Sequence, residues 1–232
     1  MDLPSKTVFE VLLNNGVDTL HHANSVITSC QFLRQKSLLS RGSAERSGLK
    51  QTSQSSDATD LRYSLWYDVF MDSVDIHRRA RKQNHYGPVL FLLDVEKLAA
   101  TRTGRIWVTK LNPTKWAGVP VEDRWFRSKK ELVTGFRRGT FDQMIVFRHS
   151  GGALPLADCL DEIILDDPDL KVDGYDLCST AHGALTLAMS DFGLQVPITK
   201  RRCAPTCTCG HYYGSTNADI KDGVVKMFFP YQ

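Results

Sequence analysis

No stretch of this 232-residue chain approaches the roughly 18 consecutive apolar residues that a membrane-spanning helix needs. No charged leader followed by an apolar segment comes after Met1-Asp2-Leu3-Pro4. The expectation is therefore a protein without membrane contact in the reducing cytoplasm, where six cysteines are thiols or metal ligands rather than disulfides. Charge of one sign is also lacking. Lys plus Arg number 29 against 26 Asp plus Glu, and a net +3 does not by itself argue for a nucleic-acid partner. There is no internal repeat and no linker rich in proline or glycine, which excludes solenoids and tethered domains. With 42% hydrophobic residues the chain can bury a normal core.

Strands dominate the middle and helices punctuate it. Ser5 to Asn14 reads as an amphipathic helix capped by Ser5, Asp18 to His22 as a strand, and Asn24 as a turn or cap. Val26 to Leu39 reads as a helix, with Gly42 placed for a left-handed C-cap. Residues 43–60 are almost wholly polar, a surface loop or a flap over a ligand. Further strands are expected over 65–72, 88–95, 105–110 and 143–148. Glu162 to Leu165 is the expected hairpin partner of the last, and a final strand covers 224–229. Helices are expected over 128–137 and 176–192, and a basic helical turn over 77–82. Without strict βαβ alternation the class is α+β. One compact domain follows, 1–199 as its body and 200–232 as a Cys/His-rich tail completing it.

Several segments gain meaning from their order. Thr19-Leu20-His21-His22-Ala23-Asn24 leads to Ser37-Leu38-Leu39-Ser40-Arg41-Gly42. Then come the aromatics Tyr67 and Phe70, the apolar run after Tyr86-Gly87, and a lone Glu162 opening an apolar strand. This pattern resembles the ADP-ribosyltransferase superfamily, specifically the DarT-like and CmdT-like branch that modifies nucleic acid, and it spans most of 18–168. The resemblance implies a split mixed sheet with flanking helices and NAD as substrate. It implies that His22 holds the adenosine ribose, with Asn24 beside it. Tyr67 or Phe70 would stack on nicotinamide. Arg41, Arg46 and Arg62 compete to meet the pyrophosphate or assist the acceptor proton, with Arg41 assigned to the cofactor and Arg46 to catalysis. Glu162 would bond the nicotinamide-ribose hydroxyl, stabilise the oxocarbenium-like transition state and deprotonate the acceptor. Asp161, Asp166 and Asp167 rank below it. His21 is the rival of His22, and strand alternation is expected to admit only one of them to the cleft.

Cys203, Cys207, Cys209 and His211 fall within nine residues, a Cys₃His set suited to tetrahedral zinc, although the spacing is not that of a common zinc knuckle. A turn of small reduced thiols is the competing reading. Lys200-Arg201-Arg202 before the set and Tyr212-Tyr213 after it would suit a nucleic-acid contact. Cys30, Cys159 and Cys178 read as core. The leading expectation is an NAD-dependent mono-ADP-ribosyltransferase acting on nucleic acid, RNA before DNA, as a bacterial toxin or phage-defence effector with an antitoxin partner. NAD hydrolysis and a non-enzymatic, zinc-stabilised nucleic-acid-binding protein are the alternatives.

Overall fold

The computed structural model describes residues 2–79, 85–203 and 207–229. Its strands are β1 (Leu3–Pro4), β2 (Thr19–Asn24), β3 (Ser37–Leu39), β4 (Val69–Met71), β5 (Val89–Asp94), β6 (Arg105–Val108), β7 (Ile145–Phe147), β8 (Ala153–Pro155), β9 (Leu160–Asp167), β10 (Lys171–Val172), β11 (Tyr175–Asp176) and β12 (Ile198–Arg202). The helices are α1 (Ser5–Asn14), α2 (Val26–Arg34), α3 (Arg41–Arg46), α4 (Asp57–Arg62), α5 (Ile76–Arg79), α6 (Val95–Thr101), α7 (Val121–Arg124), α8 (Lys129–Gly135), α9 (Leu177–Ser190), α10 (Thr208–Tyr213) and α11 (Ala218–Phe228). The class is α+β.

Two four-stranded sheets carry the architecture, one in the order β12-β9-β5-β2 and the other β1-β6-β7-β4. The first is mixed: β9 and β12 run parallel, while β5 pairs antiparallel with both β9 and β2. Its central strand, Val-Leu-Phe-Leu-Leu-Asp, is a continuous apolar run because both faces are covered. The outer strands β2 and β4 bring the two sheets together. They meet in one backbone bridge, where His21 and Asp72 exchange bonds of 2.9 Å, and among the described residues no further ladder joins them. The expected split sheet is thus present, with its opening along the outer edge of β2.

Several local expectations are corrected. The helix from Val26 stops at Arg34, because Lys36 takes a left-handed φ of 51° and turns the chain into β3. Gly42 is not a C-cap. It lies inside α3, whose N-cap is Ser40, and an added Cβ would come within 2.7 Å of the Trp66 and Tyr67 rings. Ser5 is the first helical residue rather than the cap, and its hydroxyl donates to the Arg102 carbonyl. The polar stretch 43–60 contains the end of α3 and the start of α4. Of 65–72 only Val69–Met71 is strand. The partner of Glu162–Leu165 is β5 on one side and β12 on the other, not 143–148. Residues 224–229 belong mainly to α11, whose cap Asn217 accepts from the amides of Asp219 and Ile220. Of the basic turn expected over 77–82, residues 80–82 lie outside the described residues.

The segment beyond residue 200 is built into the body. Val224, Met227, Phe228, Cys209 and Tyr213 are buried in the main core cluster with Phe9, Phe32, Phe91 and Leu185. Cys30, Cys159 and Cys178 are core residues, and burial pushes each thiol up to about 11.

Candidate active site and thiol cluster

A cleft opens where β2 and β4 part. It encloses about 960 Å³ of space, some of it open to solvent, which is of the size that takes a large ligand. His22, Asn24, Phe70 and Arg41 all border it. So does much of the polar stretch: Gln51, Gln54, Ser56, Thr59 and Asp60 form one wall. That wall is tied down, with the Gln51 amide donating to the Arg41 carbonyl at 3.0 Å and the Thr52 hydroxyl to Ser25 Oγ at 2.7 Å.

Each anchor has a local cause. His22 Nδ1 lies 2.9 Å from the Phe70 carbonyl oxygen, which can only accept, so Nδ1 carries the proton and Nε2 keeps its lone pair. Burial holds this imidazole below its ordinary pKa, against the opposing pull of the Phe70 bond, so it is neutral at pH 7. The ring packs 5.8 Å from Phe32, and its buried Nε2 has no protein partner. Arg41 grips Asp57 through Nε at 3.0 Å and Nη2 at 2.7 Å, leaving a buried Nη1 unpartnered. One neutral acceptor and one cationic donor therefore lack protein partners, and buried polar atoms of this kind are satisfied by water or by a ligand. Asn24 is buried, and its Oδ1 accepts from the Ser25 amide. Gly87 backs it at a φ of 133°, where a Cβ would fall 2.3 Å from the Asn24 carbonyl.

His21 borders the cleft as well as His22, so the expectation that alternation admits only one is corrected: the opening lies along a strand edge, and both faces of β2 reach it. Glu162 does not border it. Glu162 pairs with Leu92, which pairs with His21, so these three side chains share one face of the sheet. Two strand spacings put Glu162 roughly 10 Å from His21 along the sheet. The half-buried Glu162 follows a register shift between Leu92 and Leu93. Its rival Asp161 points outward to an exposed Lys97 at 3.0 Å.

Arg46 and Tyr67 are displaced from their expected place in the cleft. The Tyr67 ring lies against Gly42, and the Arg46 guanidinium lies 5.4 Å over it. They border a second hollow with Ser64, Asp68, Arg148 and His149. Asp68 lines both spaces. Arg62 is exposed and sits over Tyr63. The acids of the cleft were not singled out by sequence. Desolvation pushes Asp60 up to about 6, and it pushes Asp68 up to about 7 although Arg148 stands 2.8 Å away.

The tail holds the second constellation. Cys203, Cys207 and Cys209 converge, but His211 is exposed on α10 and outside the cluster. Its place is taken by His77, from a sequence region that reads as a basic turn. His77 Nδ1 lies 3.2 Å from Cys207 Sγ and 3.7 Å from Cys203 Sγ. Of the basic and aromatic residues of the tail, Arg201 and Tyr213 are turned inward, whereas Lys200 and Arg202 stay exposed. Buried Asp166 accepts from Arg201 Nη2 at 2.8 Å, His77 Nε2 at 2.9 Å and the Tyr213 hydroxyl at 3.1 Å, and Arg201 also pairs with Asp75. Arg201 and Tyr213 are thus committed internally and do not form the expected nucleic-acid contact.

This architecture is the fold of DarT. The structure of Thermus sp. 2.9 DarT in complex with ADP-ribosylated ssDNA matches at a TM-score of 0.51 and 12% identity, covering 80% of this chain and 95% of that one. Two more structures of the same protein are also similar. The complex with NAD+ matches at 0.49 and 14%, and that with carba-NAD+ at 0.48 and 13%, each covering 80% of this chain and 96% of the other. No family model and no curated protein matches the sequence.

Proposed function

We propose that this protein is an NAD-dependent mono-ADP-ribosyltransferase that modifies nucleic acid. The observation that carries the reading is the cleft at the sheet split, bordered by a neutral His22 with an unpartnered acceptor and by Arg41 with an unpartnered cationic donor. A dinucleotide offers matching groups: ribose hydroxyls donate to Nε2, and pyrophosphate oxygens accept from Nη1. Asn24 and Phe70 complete that wall, Phe70 supplying an aromatic face beside the reacting ribose.

Glu162 is the catalytic carboxylate in this reading. It shares the sheet face of His21, at the side of the cleft where the nicotinamide ribose would extend. Its charge would stabilise the oxocarbenium-like transition state as the glycosidic bond breaks. The acceptor would enter through the neighbouring hollow, where Arg46 meets phosphate and the half-exposed Tyr67 ring stacks on an unpaired base. DarT of Thermus was captured with ADP-ribosylated ssDNA. RNA is the acceptor favoured by the sequence resemblance, and a toxin or defence role with an antitoxin partner in the cytoplasm belongs to the same proposal.

The test is incubation with labelled NAD and separate pools of RNA, ssDNA and protein, for the wild type and Glu162→Gln. Label retained on nucleic acid and a loss on the order of 10²-fold or more in the variant support the proposal. Label on protein alone, or free ADP-ribose with no labelled polymer, overturns it in favour of a protein-directed transferase or an NAD glycohydrolase. Nucleic-acid binding with no NAD turnover at all supports the non-enzymatic reading.

A further inference from the structure

We propose that Cys203, Cys207, Cys209 and His77 form a closed Cys₃His site for a structural zinc ion, with Asp166 orienting the imidazole. All four ligand atoms lie within 4.8 Å of one another. A tetrahedral zinc with Zn–S of about 2.3 Å and Zn–N of about 2.0 Å sets ligand–ligand edges of roughly 3.5–3.8 Å. The separations of His77 Nδ1 from Cys207 Sγ (3.2 Å) and Cys203 Sγ (3.7 Å) lie on either side of the roughly 3.5 Å expected for a nitrogen–sulfur edge.

The second observation is the far side of the imidazole. His77 Nε2 faces Asp166 Oδ2 at 2.9 Å, so Nε2–H donates to the carboxylate and Nδ1 is the nitrogen that faces the sulfurs. A carboxylate bonded to the outer nitrogen is the arrangement that fixes tautomer and ring angle in zinc-binding histidines. Asp166 is itself immobilised by Arg201 and Tyr213. The six cysteines all lie among the described residues and none forms a disulfide, so the three thiols remain available as thiolate ligands. Three thiolates and one imidazole fill a tetrahedron, which makes the site structural rather than catalytic.

The topology gives the ion its purpose. His77 lies in α5, in the connection between β4 and β5, whereas the cysteines lie after β12. The same connection supplies Asp72 and Tyr86 to the cleft. Zinc would therefore clamp two distant parts of the chain together beside β9, and this holds whatever the cleft binds.

The experiment is elemental analysis of the full-length protein from zinc-supplemented culture, with X-ray absorption at the zinc edge. About one zinc per chain is expected, with a shell of three sulfurs and one nitrogen. His211→Ala should keep both the metal and that shell. His77→Ala should weaken zinc retention at least tenfold in competition with a chromogenic chelator. If His77→Ala is not recovered folded, the wild-type shell together with the His211→Ala shell still assigns the nitrogen. Substoichiometric zinc with rapidly alkylated thiols, a shell without nitrogen, or loss of the metal in His211→Ala would each overturn the site.

Discussion

Replacement of Asp166 by asparagine tests whether the tail is an integral part of the body. The side chain is 1% exposed, and its two oxygens accept from Arg201, His77 and Tyr213. Asparagine preserves the shape but removes the charge and turns one acceptor into a donor, which must then face another donor. Removing one partner from a buried ion pair costs about 3–5 kcal/mol, because the remaining charge is left uncompensated. Arg201 keeps Asp75 as a partner, which places the expectation near the lower end, about 3 kcal/mol. At roughly 2–4 °C per kcal/mol for a chain of this size, the Tm should fall by about 6–12 °C. The control is the next residue on the same strand: Asp167 meets the exposed Arg202 at 3.4 Å, so Asp167→Asn should cost under about 1 kcal/mol. Thermal and urea unfolding of both variants decide the matter. Equal shifts, or a larger one for Asp167→Asn, would refute the reasoning that Asp166 is a buried hub.

Other consequences concern the cleft. His22→Ala should weaken NAD binding more than His21→Ala, because the Phe70 carbonyl fixes the His22 ring with its Nε2 lone pair left as an acceptor for a ribose hydroxyl; calorimetric titration of both variants checks this. Arg41→Lys should weaken NAD about tenfold, since an ammonium cannot hold Asp57 bidentately and also reach the ligand; the same titration, with melting as a control, reads it. Asp60 and Asp68 have folded pKa values of about 6 and 7, above the unfolded carboxylate range. Their contribution to stability is therefore present at low pH and is lost as pH rises through those values. The same rise places negative charge in the cleft beside an anionic dinucleotide, so the NAD dissociation constant should increase between pH 5.5 and 8, and less steeply in Asp60→Asn. Gly87→Ala should melt earlier by several degrees, because the new Cβ has nowhere to go but the Asn24 carbonyl.

What was legible in the sequence follows from how local each cause is. The buried run 89–94, the helix 177–190 and the strand bearing His22 are written in periodicity and caps, and the structure has them within a few residues. The apolar residues at 224–229 read as a strand over that short window, and the signal that makes them helical is the Asn217 cap seven residues upstream. Strand pairing was less accessible. Nothing local says that Glu162–Leu165 pairs with β5, since that choice is made by the core covering both faces of the sheet. The cleft shows the same division. His22, Asn24, Arg41 and Phe70 stand in segments whose order carried the resemblance, and the structure brings them together. Arg46 and Tyr67 come from the same segments, yet they border the adjoining hollow instead.

The thiol cluster is the clearest case of information that sequence distance conceals. Three cysteines within seven residues announce a metal site, and the nearest histidine in sequence completes it on paper. On a short helix, however, the residue after Gly210 is carried to the exposed side of α10, away from the sulfurs. The histidine that meets them comes from a turn more than a hundred residues earlier, brought there because Asp166 is buried and needs donors. A buried carboxylate must recruit cations and N–H groups from wherever the fold offers them. Asp166 recruits Arg201 from β12, Tyr213 from α10 and His77 from α5, and the last of these presents its other nitrogen to the thiols. The membership of the cluster is thus decided by the electrostatic demand of one residue in the sheet, a demand that no spacing among Cys203, Cys207, Cys209 and His211 contains.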